Sequence, residues 1–250
     1  MRLADGIFLL QLSASFMGDA RVINPVLLWD NNEGILVDTG LPAQLQPLTE
    51  SVQKTGLSFE NIRKVIITHH DIDHIGSLAD IIDFSQGKIE VLSHCDEQPY
   101  IEGKKKPLKS SPEFIKRIQG QIEAIPQPEI RSKVMNSLNR MYTTKVDRPL
   151  EDSDEIPFLG GIKVIHTPGH TPGHICLYLK NYKMLVSGDA LNASEGRLLG
   201  PVPQFTPDFE LAKSSLKKLL DYEINTIICY HGGIVNDNAY KQLKDLIASF

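Results

Sequence analysis

Cysteine is scarce in this chain, and so are tryptophan and uninterrupted apolar stretches. Its three cysteines among 250 residues, Cys95, Cys176 and Cys229, are too few and too scattered for a disulfide framework. None forms a Cys-x-x-Cys pair, so they read as reduced thiols of a cytosolic protein. Cys229 reads as a small core side chain. No apolar run approaches the ~20 residues needed to cross a bilayer, so no membrane partner is expected. The first run, Ile7 to Leu10, is short and flanked by Asp5 and Gln11, which reads as no export signal. An excess of positive charge is missing too. The formal net charge of −5 argues against a general binder of nucleic-acid backbones. Lys104-Lys105-Lys106 is one short basic run in an acidic chain and reads as a solvated loop. A soluble cytoplasmic protein acting on a small molecule is left, with homodimerisation open.

Histidine and aspartate, by contrast, are concentrated. Thr68-His69-His70-Asp71-Ile72-Asp73-His74-Ile75-Gly76 follows the apolar run Val65-Ile66-Ile67. Ionisable groups this dense repel and desolvate one another unless a cation joins them. Imidazole with carboxylate suits zinc, iron or manganese. Three further strand ends carry glycine and one candidate ligand each: His170 in Thr167-Pro168-Gly169-His170, Asp189 in Ser187-Gly188-Asp189, and His231 in Tyr230-His231-Gly232-Gly233. One such histidine would read as a structural hydrogen-bonder; four strand ends together point to one shared site.

Periodicity places strands at 7–12, 22–29, 35–38, 65–68 and 89–92, with turns at Gly18-Asp19 and Asp30-Asn31-Asn32. Further strands fall at 162–165, 175–179, 184–187 and 226–230. Helices are expected at 41–54, 75–84 and 240–250. Another spans 207–222, capped by Thr206 and carrying the stripe Phe209, Ala212, Leu216 and Leu219. Between the two αβ parts, about 97–148, strand signals vanish and two helical stretches near 113–124 and 130–142 are separated by Pro126 and Pro128. This segment reads as a helical cap inserted into a single domain spanning 1–250. The fold expected is α+β, with helices packed outside two facing sheets and the ligands at one edge.

These residues resemble the metallo-β-lactamase fold superfamily, αββα sandwich hydrolases, from Leu36-Val37-Asp38-Thr39-Gly40 to His231. The resemblance implies a four-layer αββα sandwich of two mixed sheets. The family signature is His-x-His-x-Asp-His, followed by a distant His, a bridging Asp and a last His. Aligned on Asp73-His74, it implies His69, Asp71 and His170 on one metal and Asp73, His74 and His231 on the other, with Asp189 between them. Asp71 stands where the signature has histidine, which moves preference from zinc towards iron or manganese. A weak or empty first site and His70 swinging in for Asp71 are the two alternatives. His174 is expected to be a buried histidine outside the ligand set, His166 to pack at a strand end, and Asp38 to orient a ligand histidine.

The chemistry implied is hydrolysis of an ester-like bond (lactone, thioester or phosphoester) by metal-activated water, with two divalent ions, zinc first, and Asp73 as catalytic proton shuttle. Only 19 residues follow His231, whereas glyoxalase II-like thioesterases carry a long helical extension there. Quorum-signal lactonases have tyrosine where Asn192 stands. Flavodiiron oxidoreductases resemble the chain in carrying an acidic residue at the Asp71 position, but they append a flavin domain. A di-iron redox protein and a non-catalytic metal-bound sensor are the alternatives.

Overall fold

The computed structural model describes residues 1–16 and 19–250. Strand Ile62–Ile67 lies near the middle of a seven-stranded mixed sheet. Strands Glu33–Val37 and Glu90–His94 pair parallel to it on either side. Its Val65-Ile66-Ile67 run is buried on both faces, as the strand of a sheet covered on both sides must be. Because side chains alternate, Ile66 faces the second sheet while Val65 and Ile67 face helices.

The second sheet has six strands, with Ile162–His166, Ile175–Leu179, Met184–Val186 and Thr226–Cys229 at its centre. Ile66, Val37 and Leu92 of the first sheet pack with Val164, Leu177 and Ile228 of the second, forming the inner core. Outside the first sheet lie Leu48 and Val52 of helix Leu45–Gln53 and Leu78 and Ile81 of helix Leu78–Phe84. Outside the second, Leu216, Leu219 and Leu243 pack on Cys176, Leu185 and Ile227. The layering is αββα.

Several boundaries differ from those expected. The strand expected at 7–12 is two, Ile7–Leu9 and Leu12–Phe16, and the one at 22–29 breaks before Val26. Pro25 has no N–H to donate, and its carbonyl accepts from Leu10 N at 2.8 Å. The freed pieces, Leu12–Phe16 and Asp19–Ile23, form a hairpin of their own. Gly18, in the turn expected there, lies outside the described residues. The helix expected at 41–54 starts only at Leu45. The one at 75–84 is split into Ile72–Ile75 and Leu78–Phe84 at Gly76, where a Cβ would lie 2.4 Å from Pro42 N and from Ile72 O. The helix expected at 207–222 is α-helical over Phe209–Ser215 and tightens to 3₁₀ over Leu216–Asp221. Its cap is Asp208, which accepts from Leu211 N at 3.0 Å; the Thr206 hydroxyl donates instead to Val202 O at 2.8 Å. A second hairpin, Asn192–Ser194 with Arg197–Leu199, went unanticipated because its strands are three residues each.

Helices Pro112–Glu123 and Pro128–Asn139 form a small apolar cluster in which Phe114, Ile118 and Ile122 meet Val134, Leu138 and Phe205. Ser111 starts the first of them, its hydroxyl accepting from Phe114 N at 3.2 Å, with proline at the first helical position.

Candidate metal centre

Strand Ile62–Ile67 delivers the chain to the sheet edge, where Thr68 anchors it. Thr68 N–H donates to Asp38 Oδ1 and its hydroxyl to Asp38 Oδ2, each at 2.8 Å. Asp38 holds a left-handed backbone (φ 62°), which a non-glycine residue adopts only under surrounding constraint. The same Oδ2 lies 2.8 Å from His74 Nδ1, so His74 donates there and turns Nε2 into the site.

The candidate ligands gather into two groups. His69, Asp71, His170 and Asp189 form one; Asp73, His74 and His231 form the other. Donor atoms within each group all lie within 4.8 Å of one another. Asp189 joins the two: its Oδ2 is 3.5 Å from His170 Nε2 and 3.4 Å from His231 Nε2, while its Oδ1 is 3.2 Å from His74 Nε2. In the first group, Asp71 Oδ2 lies 3.1 Å from His69 Nε2 and 2.9 Å from His170 Nε2. In the second, Asp73 Oδ2 is 3.2 Å from His231 Nε2.

His74 Nε2 and Asp189 Oδ1 are buried and face each other, yet neither makes a hydrogen bond. Buried polar atoms without partners are costly, and a histidine nitrogen converging with a carboxylate oxygen is the donor set a divalent cation satisfies. The residues therefore fit a metal.

Charge tells the same story. Burial and the neighbouring His74 hold the His69 imidazole well below the usual histidine range, leaving it neutral with a lone pair to offer. Burial would raise the Asp71 carboxyl, but the Lys109 ammonium and His69 override it and hold it well below the usual range. Burial would likewise lower His231, yet Asp189 and Asp73 push it up to about 10. The raised His74 and His231 and the Lys109 ammonium match the three carboxylates, so a divalent cation would take the place of the protons on those two imidazoles.

His174 is held out of the ligand set by its hydrogen bonds. Burial and His170 lower its pKa to about 3, so it is neutral. Its Nδ1 meets the Thr167 hydroxyl at 2.9 Å and its Nε2 accepts from Asp189 N–H at 3.0 Å, so it fixes the backbone of Asp189. In the structure His70 is held by Glu97 and takes no place in either donor group. His70 Nδ1 and N–H both bind Glu97 Oε2, the second at 2.8 Å, and its ring stacks on Tyr100 at 4.3 Å. Glu97 is itself pinned by Gly173 N–H at 2.7 Å. His166 stacks on His94 at 4.0 Å and meets the Pro172 carbonyl at 2.8 Å through Nε2. Cys229 is buried, which pushes its thiol up to about 12 and leaves it inert.

Three residues of the site carried no advance signal. Tyr230 donates its hydroxyl to Asp73 O and lays its ring 3.9 Å from that of His74. Glu97 anchors His70. Lys109, from the turn Leu108–Ser110, pairs with Asp71 Oδ2 and donates to His170 Nε2 at 2.9 Å. Only their places in space distinguish them from other tyrosines, glutamates and lysines.

A cavity of about 330 Å³ opens onto both groups. The helical segment lines it with Phe114, Ile118, Val134 and Leu138, together with Ile23, Leu41, Ile72 and Asn192 from elsewhere in the chain. Among the described residues no helix is long and apolar enough to cross a membrane.

Comparison with known proteins agrees with this architecture. The chain is 30% identical over 218 residues to the probable metallo-hydrolase YflN of Bacillus subtilis, covering 79% of this chain and 75% of the relative. A metallo-beta-lactamase family protein from Thermus thermophilus superposes with a TM-score of 0.74 at 23% identity, over 99% of this chain and 80% of that one. A protein solved in a di-iron-bound form superposes with a TM-score of 0.62 at 22% identity, over 90% and 93%. The family model of the metallo-beta-lactamase superfamily matches residues 18–231. The chain belongs to the metallo-β-lactamase superfamily.

Proposed function

We propose that this protein is a dinuclear metal-dependent hydrolase that directs water at an ester-like bond (lactone, thioester or phosphoester) of a small molecule with an apolar portion. The observation that carries this reading is the pair of donor groups joined by Asp189, with His74 Nε2 and Asp189 Oδ1 buried and lacking hydrogen bonds. His69, Asp71 and His170 would hold one ion and Asp73, His74 and His231 the other, with Asp189 shared. When bound, two divalent ions supply an acidified water, whose pKa falls to about 7, and polarise the oxygen that becomes anionic.

The protein's own groups do the rest. Asp73, 22% exposed at its side chain, reaches towards the cavity and is the carboxylate placed to hold and pass on a proton. Asp38 keeps His74 aimed, and His174 keeps Asp189 aimed. The apolar walls contributed by the helical segment, which we regard as a cap, exclude water and hold the apolar part of the substrate. Zinc is the first candidate ion. The anionic oxygen of Asp71 gives iron or manganese, and with iron a redox reaction, a specific footing as the second reading. The acidic chain and apolar cavity favour a cytoplasmic small-molecule substrate over nucleic acid.

Elemental analysis of protein purified without added metal tests the reading. About two equivalents of zinc or manganese, with turnover of an aryl ester or phosphodiester, would support it. Iron with a visible charge-transfer band would move the assignment to redox chemistry. Less than about half an equivalent, unresponsive to added metal, would sink the dinuclear centre.

A further inference from the structure

The first donor group already contains a cation. Lys109 pairs with Asp71 Oδ2, and its ammonium lies 2.9 Å from His170 Nε2. Those are two of the atoms that would coordinate the ion of that group. The lysine is not a passing surface chain, for its side chain is only 16% exposed. Its backbone sits in the turn Leu108–Ser110, where Leu108 N–H points to His70 Nε2 at 3.4 Å, and His70 is fixed by Glu97. The Phe205 ring lies 6.0 Å from the ammonium. Among the described residues no lysine pairs with the ligand atoms of the second donor group, and His74 Nε2 there is without a hydrogen bond.

An ion at the usual distance of ~2.1 Å from both Asp71 Oδ2 and His170 Nε2 would lie within about 4 Å of this ammonium. Two positive charges that close in a mostly buried site repel strongly, and both draw on the same carboxylate oxygen. Resting on the metal-centre reading above, we propose that Lys109 is a tethered cation competing with the metal ion for the His69–Asp71–His170 position. The Asp73–His74–His231 position then fills first. The other fills only when the turn Leu108–Ser110 yields, which couples metal occupancy to the helical segment that roofs the cavity.

Equilibrium dialysis of the full chain against stepped Zn²⁺, with bound metal counted by elemental analysis, tests this directly. The wild-type protein should take up its first equivalent well before its second. Lys109→Met should bring the second equivalent in at free Zn²⁺ lower by roughly tenfold or more, while Lys109→Arg, which keeps the charge, should resemble wild type. In a His231→Ala background, which disables the other position, Lys109→Met should tighten the binding that is left. Unchanged Zn²⁺ uptake in Lys109→Met, or Lys109→Arg behaving like Lys109→Met, would overturn the proposal while leaving the metal centre standing. No Zn²⁺ uptake by wild type or variants would overturn the metal-centre reading, and this proposal with it.

Discussion

The two donor groups sit side by side, share Asp189, and are built to different plans. The second is braced from behind: Asp38 binds both Thr68 and His74, and Tyr230 packs on His74 while bonding Asp73 O. Its supports all come from the sheet edge. The first shares part of that bracing, since the Thr68 hydroxyl lies 3.0 Å from His69 Nδ1, but its odd candidate ligand Asp71 also pairs with Lys109 from the helical segment. Similar ligand chemistry should therefore give different metal affinities at the two positions. What decides is whether the surrounding groups orient the ligands or compete for them.

Asp189→Ala should have the largest effect, because it breaks both positions at once. Turnover of an aryl ester should fall by about a thousandfold or more, and bound metal should drop at both positions. Retention of two tightly bound ions would show that Asp189 does not join them. Asp38→Ala should separate the positions. Freed of its hydrogen bond, His74 should lose about 10- to 100-fold in metal affinity at the second position, with a smaller loss at the first, which Asp38 reaches only through Thr68 and His69. Equal weakening of both would mean that the bracing is common rather than divided.

Asp71→His sharpens the contrast from the other side. It gives the first group the family's usual imidazole and removes the partner of Lys109, so the first position should bind zinc more tightly. Unchanged metal content and affinity would show that Asp71 is not a ligand.

Glu97→Gln should have the smallest effect and act on stability. Burial would raise the Glu97 carboxyl, but His70 and the Gly173 N–H hold it below its ordinary value. A depressed carboxyl stabilises the fold at neutral pH, and that contribution fades as pH falls below the unfolded value of about 4.3. Glu97→Gln should therefore cost about 1–3 kcal/mol at pH 7 and flatten the acid limb of a thermal-melt series. An acid limb identical to that of the wild type would remove Glu97 as its source.

Much of the site was legible in the chain because its grammar is local. His69, Asp71, Asp73 and His74 lie within six positions after an apolar run, and His170, Asp189 and His231 each end a strand beside glycine. The hairpin Leu12–Phe16 with Asp19–Ile23 was hidden because its strands ran on into their neighbours, and one proline decided the break. The cap of helix Phe209–Ser215 was misplaced because threonine and aspartate two positions apart cap equally well until one hydroxyl finds another partner.

Sequence alone determined the alternation of strands and helices, the candidate donors and, through the family resemblance, the expected αββα layering and the unusual Asp71, since periodicity and motif spacing reside in short stretches of chain. Tertiary structure alone decided what those ligands face. Asp71 meets His170 across 99 positions and Lys109 across 38, while His70 is taken by Glu97 27 positions away. Such pairings depend on where the helical segment folds back over the sheet edge. Loop closure makes that placement a property of the whole chain, and no local pattern of residues encodes it.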